Sequence, residues 1–279
     1  MPRNRLRRSC ALALACVTTI AFGACGGDDD DSAQPSSTSA TSPTAASAAA
    51  QRDVVTGAGS DVATAVDEYR ALLGDDNGGE PTTHESGRRE INWDAVPDEF
   101  AAPNALPADF FNAPADPRAR GVVLETEGDH VAVSADDDNP ENAAPRFADI
   151  NPGYTDTFST FSEPRLFSPV GSNVVNLQFY VPGTSTPAVA RGFGAVYTDV
   201  DREETASFEL FDAQGHSLET FAVPVSKNGL SFLGIAYAEP VVARVRIVYG
   251  NTELGPDDDD QYDVAVMDDF IFGEPQPAG

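Results

Sequence analysis

Downstream of Glu90 the chain is written in short apolar runs, rich in Val, Ile, Phe and Tyr, with Gly, Pro, Asn or Asp between them about every ten positions. This rhythm constrains the fold more than any other feature. Runs of about five to eight residues suit strands and are short for helices. Strands are expected at 121–125, 130–135, 173–181, 188–198, 205–211, 217–223, 230–236, 241–249 and 262–272. Inside–outside alternation is plain in Ser207-Phe208-Glu209-Leu210-Phe211 and again from Ala243 to Val248, where Arg244 and Arg246 share a solvent face. Asp212-Ala213-Gln214-Gly215 and Asn228-Gly229 read as hairpin turns. No strand–helix–strand rhythm favours a parallel sheet. The expected class is all-β, an antiparallel β-sandwich or jelly roll over residues 88–274.

The stretch 90–118 is rich in proline and aromatics, which forbid regular ladders yet favour burial. It reads as an extended segment wrapping the sandwich, anchored by Trp93. Residues 60–87 read as a short amphipathic helix and a polar loop. Val62, Ala65, Val66, Tyr69, Leu72 and Leu73 share one helical face, Ser60 is placed to cap the start and Gly74 the end. Residues 25–59 hold little to bury and are expected to be a disordered tether.

The first 24 residues have the grammar of a secretory leader. Arg3, Arg5, Arg7 and Arg8 precede an apolar run from Ala11 to Ala24, which falls short of the roughly 20 apolar residues a membrane-spanning helix needs. Phe22-Gly23-Ala24-Cys25 resembles the lipobox of bacterial lipoproteins, with Phe22 where that family usually has Leu. The resemblance implies a lipid on Cys25 and cleavage just before it, so that the chain works outside the cytoplasm, anchored to the cell membrane. An ordinary signal cut after Ala24 is the alternative, and Cys16 is a weaker lipidation candidate. Cys10, Cys16 and Cys25 are the only cysteines, so the segment beyond Cys25 has neither disulfide nor thiol chemistry.

The net charge is −28, from 17 basic and 45 acidic residues, and the leader carries four of the basic ones and no acid. Such a field repels phosphate backbones and excludes nucleic acid as a partner. It attracts cations.

Four stretches carry a further resemblance: Gly87–Asp94, Asp109-Phe110-Phe111-Asn112, Gly192–Asp201 and Val266–Phe272. Together they resemble an uncharacterised family of exported bacterial β-sandwich domains, jelly-roll-like in the second half, over about residues 60–274. The resemblance implies the fold and names no activity. In similar jelly rolls a structural Ca²⁺ often sits between the first and last strands. Hard cations take six to eight oxygens. Asp199 with Asp201, and Asp268 with Asp269, are the paired carboxylates that suit such a site, and Asn92 and Asp94 could supply its other half. Solvated turn residues are the alternative for all six. The run Asp257–Asp260 reads as a polar loop.

Catalytic motifs do not appear. His84, His130 and His216 lack zinc-ligand spacing, and no Gly-x-Ser-x-Gly elbow is present. Tyr154, Phe158, Phe161, Phe167, Phe179 and Tyr180 are candidates for a sugar-stacking face, with core packing as the commoner fate of any one of them. The functional expectation is a lipid-anchored, non-catalytic module binding a surface ligand, with a glycan as the candidate. An envelope structural or assembly protein is the alternative. A glycan hydrolase using Asp94 and Asp199 is the remaining one.

Overall fold

The computed structural model describes residues 51–259 and 261–279. The expected leader, the expected lipidation site Cys25 and the expected tether up to residue 50 lie outside them. Fourteen strands form: β1 (Arg52–Ala58), β2 (Arg88–Ile91), β3 (Val122–Thr126), β4 (His130–Val133), β5 (Phe167–Val170), β6 (Val174–Phe179), β7 (Ala188–Val189), β8 (Gly192–Val200), β9 (Ser207–Phe211), β10 (Ser217–Ala222), β11 (Ser226–Tyr237), β12 (Arg244–Val248), β13 (Val266–Gly273) and β14 (Gln276–Pro277). Two helices accompany them, α1 (Val62–Leu73) and α2 (Tyr154–Thr157).

The all-β sandwich expected from the strand rhythm is the fold. One sheet has seven strands, in the order β1-β11-β8-β13-β5-β4 with β2 also paired to β13, and the other five, in the order β10-β9-β12-β6-β3. Every pairing between these strands is antiparallel. Alternation decides which side chains enter the core: Phe208 and Leu210 of β9, Val245 and Ile247 of β12, and Val175 and Leu177 of β6 meet Phe193, Tyr197, Phe270 and Phe272 of the larger sheet. The strip 90–118 closes one side of the sandwich. Leu106 pairs with Val131 of β4, and the amide of Leu124 in β3 donates to Ala108 O at 2.9 Å.

Several boundaries differ from the sequence expectation. Arg52–Ala58, placed in the tether, is an edge strand paired along its whole length with β11. β2 was hidden by its charges: Arg89 is fully buried because Glu274 takes its guanidinium at 2.7 and 2.9 Å. β5 was hidden by Pro169; the strand pairs along its length with β4 and meets β13 only at Phe167. The strand expected at 188–198 is broken into β7 and β8. The fold also extends past 274, since Gln276 and Pro277 pair with β7.

The helix forms with the expected face. Val62, Ala65, Val66, Tyr69 and Leu73 pack on the outside of the larger sheet against Val55, Val196, Phe232, Ala236 and Ile271. Ser60 does not cap it; the N-cap is Asp61, without a side-chain bond, while Gly74 ends it at φ 99°. Tyr69 lies flat on the strands because Gly194 and Gly234 leave room. A Cβ on either would stand 2.7 or 2.6 Å from its ring. Its hydroxyl donates to Ile235 O at 2.8 Å. A second outer cluster, around Phe147, Tyr154, Phe158 and Leu166, covers the other half of this face.

Candidate functional site

β13 lies beside β8 along one edge, and its other edge is shared. β2 pairs with Phe270–Gly273 and β5 with Met267, leaving Asp268 and Asp269 in the gap between them. The β13–β8 register slips at the same two residues. Trp93, in the left-handed region at φ 67°, fills the gap. Its ring stacks on Phe167 at 4.2 Å and meets Phe270 edge-on, and Nε1 donates to Asp268 O at 2.6 Å.

The chain at 161–165 closes over the two aspartates. The amides of Phe161 and Ser162 donate to Asp268 Oδ2 at 2.6 and 3.2 Å. Ser162 Oγ lies 3.0 Å from Asp268 Oδ1 and 2.7 Å from Asp269 Oδ1. The Arg165 amide donates to Asp94 Oδ1 at 3.2 Å. Arg70 of α1 pairs with Glu90 at 2.7 Å and reaches Asp269 at 3.7 Å. Burial, reinforced by the charge on Asp269, pushes the Asp268 carboxyl up to about 9. Burial raises Asp269 too, offset by Ser162, Asp268 and Arg70, and burial raises Asp94. The two carboxyls titrate as a pair that keeps one shared proton well above the ordinary carboxylate range. Asp268 is 0% and Asp269 3% exposed, so neither carboxyl is open to a solute.

A second acidic group stands at the end of β8. Asp199, at φ 64°, accepts the Asn228 amide at 2.6 Å. Asp201 pairs with Lys227 at 2.6 Å through Oδ2, while its buried Oδ1 has no hydrogen-bond partner. Asp263 accepts the Asp201 amide at 3.1 Å and the Thr205 hydroxyl. Burial pushes Asp199 up to about 7 and Asp258 to about 6, and raises Asp263; the neighbouring carboxylates add to each shift. Among the described residues, no three or more His, Cys, Asp or Glu side chains are arranged to hold a metal ion.

The six candidate residues thus divide three ways. Asp94, Asp268 and Asp269 come together around Ser162. Asp201 contacts Asp263 through its amide, and Asp199 and Asp201 lie within electrostatic reach of Asp258. Asn92 is exposed and lines neither group. It faces a cavity of about 420 Å³ under the strip 90–118. The walls of this cavity are Ile91, Trp93, Val96, Phe100, Phe110 and Phe111, with Glu99, Arg118 and Arg120 as its charged groups. Phe100 and Phe110 meet at 5.3 Å, Phe110 and Phe111 at 4.9 Å, and Trp93 and Phe111 at 5.5 Å, tilted or edge-on. Arg118 stacks its guanidinium over Phe110, 4.7 Å from the ring centre. Arg120 donates Nε to Pro117 O at 3.2 Å and Nη1 to Glu90 O, and burial lowers its pKa.

The sequence reading passed over Arg118 and Arg120. The available signal was Arg118-Ala119-Arg120 closing a Pro- and Phe-rich stretch in a strongly acidic chain. The proposed sugar-stacking face does not form: Tyr154, Phe158, Phe167 and Phe179 are buried, leaving Phe161 and Tyr180 half-buried. No protein-family model, curated protein or solved structure matches the chain.

Proposed function

We propose that this chain is an exported, lipid-anchored, non-catalytic β-sandwich that binds a ligand in the cavity under residues 90–118. The cavity carries the reading. Its volume, about 420 Å³, falls within the roughly 300–1,000 Å³ of small-molecule sites, and it combines apolar walls with a few polar groups. The buried carboxyl pair at Asp268 and Asp269 supports a non-catalytic role, because no substrate reaches it. A thermal-shift screen of the full chain against soluble envelope glycans and small amphiphiles tests the reading. At least one ligand is expected to raise the melting temperature, and Ala95→Trp, which places a large ring at a lining position, is expected to remove that shift. A screen without a shift in either class overturns the proposal. Cys25→Ala is expected to move the chain from the membrane to the soluble fraction; unchanged membrane attachment overturns the lipid anchor.

The calcium expectation rests on Asp199 and Asp201, with Asp258 and Asp263 within electrostatic reach, as groups that a cation would have to draw together. It is supported there by three carboxyls whose pKa values are raised by burial and by one another. Asp268 and Asp269 fit a cation poorly, since protein donors already occupy them and they share a proton. Calcium at about 1 mM, the range of weak extracellular sites, is expected to raise the melting temperature, and Asp258→Asn to abolish the rise. No rise removes the cation from the proposal.

A further inference from the structure

We infer that the cavity selects a small carboxylate with an aromatic body, an arylalkanoate in chemical class. This rests on the cavity being the ligand site. The charge pattern points to an anion. In a chain with 45 acidic and 17 basic residues, two guanidiniums beside a single acid in one cavity lining are the unusual arrangement. Arg52, Arg70, Arg88, Arg89, Arg165 and Lys227 all have carboxylates within 4 Å. Among the described residues Arg118, Arg120, Arg146, Arg191, Arg244 and Arg246 do not, and of these Arg118 and Arg120 line this cavity together.

Their donors are differently committed. Arg120 turns Nε and Nη1 toward backbone carbonyls and leaves Nη2 without a protein acceptor. Arg118 makes no hydrogen bond with the protein, and the ring of Phe110 holds its plane. A planar, ring-stacked guanidinium suits the flat, two-oxygen head of a carboxylate. Glu99 is exposed and is the single acid in the lining, so the lining carries one net positive charge. That balance matches a monoanion.

The walls specify the body. Phe100, Phe110, Phe111 and Trp93 already meet one another tilted or edge-on, and a further ring can join such a cluster in the same geometry. A neutral sugar suits this lining less well. Asn92 is the only uncharged side-chain amide available to it, and burying hydroxyl groups without partners is costly.

Trp93 is the only tryptophan and lines the cavity, so intrinsic fluorescence of the full chain reports occupancy. Phenylbutyrate and its neutral analogue phenylbutanol are the probes. Both are expected to perturb Trp93 saturably, with the acid bound about tenfold more tightly, the size of one charge-assisted contact. Arg118→Ala is expected to reduce that preference severalfold, and Arg118→Lys to retain part of it. Equal affinity for acid and alcohol in the native chain overturns the anion inference and leaves the cavity reading intact. A preference that survives both Arg118→Ala and Arg120→Gln overturns it as well. If neither probe perturbs Trp93, the inference and the cavity reading beneath it both fail.

Discussion

The acidic gap and the arginine cavity adjoin the same residue and treat charge in opposite ways. Trp93 plugs the gap at Asp268 and also lines the cavity with Phe111. In the gap, amides, a serine hydroxyl and a shared proton satisfy the carboxyls inside the protein, and no surface is left for a ligand. In the cavity, two guanidiniums border open space without a carboxylate partner. Charge density alone does not say which charged groups remain open. What matters is whether a charged group has found its partner within the fold.

Trp93→Ala breaks both regions at once. It removes the stack on Phe167 and the bond to Asp268 O, and is expected to cost about 3–5 kcal/mol in denaturant unfolding. A loss under about 1 kcal/mol would mean that the ring does not hold the gap closed.

Ser162→Ala touches the gap alone. It leaves two buried carboxyls short of a partner and is expected to cost about 1–3 kcal/mol. Ligand affinity in the cavity is expected to stay unchanged. A shift in both quantities would couple the regions.

pH separates them further. Carboxyls whose folded pKa is raised bind protons more tightly folded than unfolded, so they contribute stability at low pH that is lost as pH rises. Asp258, at about 6, and Asp199, at about 7, are expected to make the melting temperature fall between pH 4 and 8. Asp268, at about 9, extends the fall into alkaline solution. Asp199→Asn is expected to reduce the slope from pH 4 to about 7 and Asp268→Asn to reduce it from pH 4 to about 9, with little effect near pH 4. Melting curves across pH check the sign, and a rise from pH 4 to 8 contradicts it.

Arg118→Ala is the smallest change. Its guanidinium contacts a ring and has no ion-pair partner, so the expected stability loss is about 0.5–1 kcal/mol or less. A large loss would make Arg118 a structural residue and blur its distinction from the acids.

The strands of period two were legible, as were the helical face of residues 62–73 and the burial of Trp93. Each depends on neighbours in sequence: alternation assigns a strand's faces, and spacing of three and four assigns a helix face. β2 was illegible because Arg89 is apolar in effect only once Glu274, far along the chain, pairs with it. β1 was illegible because its residues gain a strand only by lying on β11. The six candidate residues were found as acids and an amide without their grouping. Asp94, Asp268 and Asp269 meet because two strands share one edge of β13. Asp201 instead contacts Asp263 through its amide, and Asp199 and Asp201 lie within electrostatic reach of Asp258, which no spacing foretold.

The sequence by itself determined the class of fold, the faces of its strands and the acidity of its surroundings, since local periodicity and composition suffice for these. The tertiary structure alone decided which charges neutralise one another and which remain open. That outcome depends on contacts between residues distant in sequence, whose strength is set by burial, and it moved the functional candidate from the aspartates to Arg118 and Arg120.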